Sequence, residues 1–304
     1  MTDRNRSAGR VGAILPFMAA IAAMASFQVG AALAKGLYPA VGALGAAGLR
    51  LSLGAAMLML LMRPWRGWPR GAHLAPLIGL GVCTGTAVMM FYLAIARLPL
   101  GIAISLQFLG PLAVAITGSR KASDLLWAAL GAIGVWSLVA THSTHQALDP
   151  IGIACALAAG AGWGGYIICG RLAGAAFGGA TAPVATAIAG LIALPVGAMA
   201  AGPALFSPAL LPLALLVALI STAIPFSLEV YALTRMPART FAVLTSIEPA
   251  FGVLSGFFLL HENLAPLQVA GVAAVMIAAG GATWSSANEA RQTETSALAN
   301  APPV

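Results

Sequence analysis

Along nearly the whole chain, apolar runs of about 20 residues alternate with short clusters of charge, proline and glycine. A bilayer core of about 30 Å takes roughly 20 apolar residues per helical crossing. Breaking the chain at the polar clusters predicts spans at about 12–34, 41–62, 73–96, 100–118, 123–141, 150–170, 180–201, 208–233, 239–259 and 265–285. The expected fold class is therefore an all-α membrane protein with ten transmembrane helices. Residues 1–11 form a basic leader, and the run from Val11 to Ala34 is longer than the core of a signal peptide. It reads as a retained first span. The polar stretch 286–304 reads as a disordered cytoplasmic tail.

Composition explains why lipid must be the solvent. Of 304 residues, 60% are hydrophobic and 8% charged, against about 25% charged in a soluble domain. So little charge cannot cover a surface facing water. The 35 glycines fit the same medium, because helices in lipid associate through small residues that let backbones approach. The net charge of +7 comes with no basic stripe interleaved with aromatics, so nucleic acid is not an expected partner. The distribution of the cations is more telling. With the N-terminus in the cytoplasm and ten alternating spans, cytoplasmic segments hold twelve of the fifteen Lys and Arg, outer segments hold Lys35 and Arg97, and Arg50 lies inside span 2. This bias places both termini in the cytoplasm. Cys83, Cys155 and Cys169 lie within apolar runs without metal or disulfide spacing, as buried thiols do.

An internal repeat adds mechanism to the count. Residues 96–118 (ARLPLGIAISLQFLGPLAVAITG) align without gaps on 234–256 (TRMPARTFAVLTSIEPAFGVLSG), an offset of 138. Arg97 falls on Arg235, Pro99 on Pro237, Pro111 on Pro249 and Gly118 on Gly256. At a similar offset Phe27 falls on Trp163, Lys35 on Arg171 and Asp124 on Glu262. The halves are 12–141 and 148–285. Each holds five spans, an odd number, so the second half is inverted relative to the first. Inverted repeats place a substrate site near the midplane between them and allow alternating access.

Charge inside a membrane costs about 2.5–3.5 kcal/mol on the mildest scales, so the few intramembrane polar groups are informative. Glu229 lies in span 8, Glu248 in span 9, Arg50 in span 2, Gln28 in span 1 and Gln107 in span 4. Proline removes an N–H donor, so Pro225 frees the carbonyl of Ser221, Pro111 that of Gln107 and Pro249 that of Thr245. Trp163 and Tyr166 share one face of span 6 and would form an aromatic wall. Gln28, Arg50, Gln107, Trp163, Tyr166, Glu229 and Glu248 are thus the candidate substrate-binding set. Structural readings stand beside this one. Arg50 would pair with Glu229 or Glu248 as a buried ion pair, and the aromatics would simply pack. Glu262 and Asp124, at span entrances, read as capping or loop residues. Gly160 and Gly164 would serve either internal packing or a homodimer face.

Several stretches resemble a known family. Ten spans, the five-plus-five duplication, and Pro249 followed by Gly256 and His261-Glu262-Asn263 resemble the EamA-type branch of the drug/metabolite transporter superfamily. Residues 23–43, 98–115 and especially 221–250 (STAIPFSLEVYALTRMPARTFAVLTSIEPA) are similar to the bacterial threonine/homoserine exporters of that branch. The resemblance implies a secondary transporter in the inner membrane that exports small amino acids or related metabolites, with protons as the coupling ion. It also implies a cavity lined by both halves. The resembling exporters tend to carry Glu at the position of Gln107, whereas Glu229 and Glu248 keep the pattern. A carboxylate withdrawn from water favours its neutral form, which suits Glu229 and Glu248 to proton coupling.

Other readings compete. An exporter of this type with another cargo, such as a drug or nucleobase, carries the same architecture. A membrane-embedded enzyme would need a catalytic constellation, yet His73, His142, His145 and His261 lie in loops or at span ends, and His142 and His145 lack a convincing third metal ligand. The chain carries no Walker-type phosphate loop, which disfavours an ATP-driven pump. No cofactor, resident metal or enzymatic activity is expected.

Overall fold

The computed structural model describes residues 3–69, 73–117, 122–140, 148–236 and 238–299. These are helical, with no strand among them. In chain order they form α1 (Asp3–Ala34), α2 (Tyr38–Met62), α3 (Ala75–Ile95), α4 (Leu100–Gln107), α5 (Leu109–Thr117), α6 (Ala122–Ala140) and α7 (Pro150–Phe177). Then follow α8 (Thr181–Ala201), α9 (Leu211–Ala218), α10 (Ile224–Leu233), α11 (Ala238–Thr245), α12 (Glu248–Leu260) and α13 (Pro266–Ala299). A π-helical turn, Leu219–Ala223, joins α9 to α10.

Among the described residues, six apolar helical stretches are long enough to cross a membrane: Ile14–Met62, Ala75–Ile95, Pro150–Phe206, Pro208–Ala232, Val243–Leu260 and Pro266–Ser285. The first contains α1 and α2, and the third α7 and α8. Leu100–Val114 and Leu126–Leu138 are shorter apolar helices. Their burial is the reverse of a soluble protein's. Leu191 and Met199 are 74% and 79% exposed, and Trp136 and Phe258 also face outward. Water would penalise such a surface, whereas hydrocarbon solvates it. The interior is built from small residues. Ala46, Ala47, Ala189 and Ala193 are fully buried between α2 and α8, where Gly48, Gly190 and Gly197 lie against the facing backbone. Close backbone approach is how helices gain dispersion energy when lipid competes for every apolar side chain.

Two boundaries differ from the sequence expectation. The segment expected to be a disordered tail continues α13 as helix to Ala299. Its SSANEARQTETSALA sequence contains four Ala and two Glu and no Gly or Pro to break a helix. Likewise the basic leader is helical from Asp3 and runs directly into the first apolar run. Hydropathy marks where lipid begins, not where a helix does. The histidines His142 and His145 lie outside the described residues.

Local chemistry sets the helix ends. Asp149 caps α7, its Oδ1 accepting the Ile151 amide at 2.8 Å, with Pro150 at the first helical position. Gly178 (φ 52°) and Gly202 (φ 62°) end α7 and α8 in a region that glycine enters without steric penalty. Two loop clusters mark opposite ends of the bundle. At one, Trp68 packs on Phe177 with ring centroids 5.3 Å apart. At the other, Lys35 meets Glu262, and Arg97 meets Asp149 at 3.1 Å.

Candidate functional site

Three helix interruptions lie inside the apolar bundle, each at a proline anticipated from the sequence. The first separates α4 from α5 at Phe108, ahead of Pro111, and the second separates α11 from α12 at Ser246–Ile247, ahead of Pro249. The eight-residue helices α4 and α11 end at Gln107 and Thr245, positions 138 apart. The third is the π turn ahead of Pro225.

The π turn exposes carbonyls that hydrocarbon cannot satisfy. Side chains of α1 and α2 answer two of them. Ser26 of α1 donates to the Ile220 carbonyl at 2.5 Å, and Arg50 of α2 donates through Nη2 to the Ser221 carbonyl at 2.8 Å. The expected loss of the helical donor to Ser221 is thus answered by a guanidinium from across the bundle. Arg50 is only 6% exposed. Its Nε reaches Thr222 Oγ1 and its Nη1 reaches Tyr92 Oη, both at 3.4 Å, and its Cζ lies 5.4 Å from the Tyr92 ring centroid. At 3.4 Å the two hydroxyl contacts are at the weak limit of hydrogen bonding. The expectation of an Arg50 ion pair with Glu229 or Glu248 is corrected here: no such pair forms among the described residues. A helix carbonyl lacking a donor competes for the guanidinium and holds it on the π turn.

Glu248 opens α12 directly after the interruption, where a carboxylate complements the positive end of a helix dipole. Gln28 of α1 donates through Nε2 to Glu248 Oε1 at 2.8 Å. Gln28 is 3% exposed and its Oε1 has no partner among the described residues. Glu248 and Arg50 lie within electrostatic reach of one another, as do Glu248 and Glu229. Glu229 of α10 is in turn within reach of the Tyr166 hydroxyl.

Gln107, the last residue of α4, accepts at Oε1 from Trp163 Nε1 of α7 at 3.1 Å. Trp163 packs edge-on against Tyr166 with centroids 5.1 Å apart, so the aromatic wall exists. A cavity of about 350 Å³ adjoins it, with Leu80, Thr84, Tyr166, Arg171, Thr186 and Phe226 among its lining residues. That volume lies in the range of small-molecule sites, about 300–1,000 Å³. The seven candidate residues therefore form two linked groups: Gln28, Glu248 and Arg50 around the π turn, and Gln107, Trp163 and Tyr166 along α7. Glu229 bridges them electrostatically.

Sequence reasoning missed Tyr92, Ser26 and the role of Glu262. Tyr92 is fully buried, and a lone tyrosine within an apolar run was the available signal. Ser26 looked like an ordinary small residue. Glu262 does act as a cap, but for α4 rather than its own helix, its Oε2 accepting the Leu100 amide at 2.7 Å. Gly160 and Gly164 are used internally: a Cβ on Gly160 would lie 2.6 Å from the Gln107 carbonyl oxygen, and Gly164 packs near Val114 and Gly110. The described residues hold no group of three or more His, Cys, Asp or Glu suited to a metal ion.

Residues 150–284 match the model of the EamA-like transporter family. The chain is 44% identical over 277 residues to the threonine/homoserine exporter RhtA of Escherichia coli (strain K12), covering 91% of this chain and 94% of that one. It is 45% identical over 269 residues to the exporter of the same name from Salmonella typhimurium (strain LT2), covering 88% and 91%. A solved structure described only as "Crystal structure of protein" superposes with a TM-score of 0.61 at 16% identity, covering 92% of this chain and 98% of its own. At that identity it speaks for the fold alone. The relatives are exporters and the matched family is one of transporters, not enzymes. The chain belongs to the EamA-like transporter family.

Proposed function

We propose that the protein exports small hydroxy amino acids of the threonine and homoserine type across the inner membrane by proton antiport. The membrane-spanning unit comprises ten passes: α1, α2, α3, α4–α5, α6, α7, α8, α9–α10, α11–α12 and α13. Residues 12–141 and 148–285 act as two inverted halves, with both termini in the cytoplasm. Packing supports this symmetry. Passes 2 and 7, 4 and 9, and 5 and 10 pack as equivalent pairs. Passes 3 with 6 and 1 with 8 exchange roles, as a two-fold axis requires.

The observation that carries the reading is the polar group around the π turn, where a half-buried carboxylate and a buried guanidinium face one bundle interior. An amino-acid zwitterion needs an acceptor for its ammonium and a donor for its carboxylate. Glu248 and Glu229 supply the first. Arg50 supplies the second by giving up its two 3.4 Å contacts while keeping its 2.8 Å bond to Ser221. Trp163 and Tyr166 wall the site, and Gln107 fixes the indole. Protonation of Glu248 or Glu229 displaces an ammonium bound there, which couples proton entry to release outside. Exposure of cells to toxic homoserine tests the cargo. Overexpression raises the tolerated concentration several-fold if the reading holds, and an unchanged threshold, with the protein inserted, rejects it.

A further inference from the structure

The His261-Glu262-Asn263 segment lies away from the site above, yet Glu262 ties together two separate elements at its end of the bundle. Lys35 Nζ, just beyond α1, lies 2.7 Å from Glu262 Oε1, while Glu262 Oε2 accepts the Leu100 amide at 2.7 Å. One carboxylate of the second half therefore holds two elements of the first, the end of α1 and the start of α4. Gly256 makes room for it, since a Cβ there would lie 2.5 Å from Glu262 Oε2. Beneath this junction α4 and α12 pack closely against each other. Gly101 packs on Val253, Gly252 packs on Ile104, and Leu100, Ile102 and Ile104 are fully buried.

At the opposite end Arg171, exposed at the surface, lines the cavity of about 350 Å³. The duplication sets Lys35 on Arg171 and Glu262 on Asp124. Among the described residues the molecule is thus closely packed beneath the Lys35 pair and carries a cavity at the end holding the sequence counterpart of Lys35. We propose that Lys35 and Glu262 are the outer gate of the transport cycle, and that Arg171 belongs to its counterpart at the cytoplasmic end in the opposite state. This rests on the orientation and alternating access proposed above. The strength of the pair suits the role. Its side chains are 22% and 16% exposed, between a surface pair that holds little and a deeply buried pair too costly to open each cycle.

A gate and a simple helix cap differ in what they need. The cap at Leu100 needs only an acceptor, which Glu262→Gln retains; the gate needs both charges. The test uses a single reporter cysteine, Gln28→Cys, with Cys83, Cys155 and Cys169 replaced by serine. Right-side-out vesicles are treated with a membrane-impermeant maleimide. Lys35→Met and Glu262→Gln should each speed labelling threefold or more, with the double variant no faster than either. Arg171→Gln should slow it. With Gln28 intact, cross-linking Lys35→Cys to Glu262→Cys with a short bis-thiosulfonate should stop the transport that this double variant retains, and a reductant should return it to the level before cross-linking. Unchanged labelling in both single variants, or full transport by the cross-linked protein, overturns the gate. Acceleration seen only in everted vesicles overturns the orientation instead. Labelling requires no substrate, so a wrong cargo shows separately, as wild-type protein that fails to move threonine.

Discussion

Replacing Arg50 with methionine tests how the bundle stabilises its π turn. The variant removes the charge and its 2.8 Å bond to the carbonyl of the fully buried Ser221, whose α-helical donor Pro225 cannot supply. A hydrogen bond from a charged donor contributes about 1.5–3 kcal/mol. The contact with the Tyr92 ring adds about 0.5–1 kcal/mol. The two 3.4 Å contacts add little. Relief from burying a cation offsets part of this. The expected net loss is about 2–3 kcal/mol, on the order of 3–5 °C in apparent Tm in detergent. A second substitution separates this account from generic core damage. Pro225→Ala restores an N–H that can donate to Ser221, so Arg50→Met/Pro225→Ala should recover about 1 kcal/mol over Arg50→Met. Pro225→Ala in the wild-type background should bring no such gain, because Arg50 already holds that carbonyl. Fluorescence-detected thermal unfolding of all four proteins completes the double-mutant cycle. Additive effects, or an Arg50→Met protein as stable as wild type, would refute the reasoning.

Further predictions follow from other contacts. Gly110→Ala places a Cβ on the Gly160 carbonyl, a backbone atom unable to move aside, and should cost about 2–3 kcal/mol, measured as lowered Tm and yield of folded protein. Trp163→Phe leaves Gln107 Oε1 without its 3.1 Å donor and should destabilise by about 1–2 kcal/mol while raising KM for export. Arg235→Ala removes an exposed guanidinium 4.0 Å from the Tyr231 ring centroid and should change stability by about 0.5 kcal/mol or less, with transport unaltered.

The sequence carried much of the architecture because lipid imposes a length and a polarity on every crossing. Pro111, Pro225 and Pro249 located the interruptions, since an amide lacking hydrogen cannot complete a helical ladder. It did not reveal what fills them. That Arg50 would bind Ser221 rather than a carboxylate depends on how α2 lies across the π turn, a tertiary matter 171 residues distant in the chain. Gln28 was legible as an intramembrane polar group, whereas its bond to Glu248 was not, because both ends had several polar residues within conceivable reach. The alignment of 96–118 on 234–256 sets Gly110 on Glu248, a mismatch within the repeat. Its cause became visible only with Gly160 pressed against it. The helical extent of α1 and α13 escaped for a different reason. Hydropathy reports the solvent, while Ala, Glu and Arg continue a helix into water.

The central claim is that Glu248 couples proton movement to amino-acid export, and everted vesicles test it most directly. Radiolabelled threonine should accumulate in vesicles acidified inside, and an uncoupler should abolish the accumulation. Glu248→Gln keeps an amide oxygen to accept from Gln28 but cannot carry a proton. It should exchange threonine across the membrane yet fail to concentrate it. Accumulation by Glu248→Gln at the wild-type level, sensitive to the uncoupler, would contradict the account.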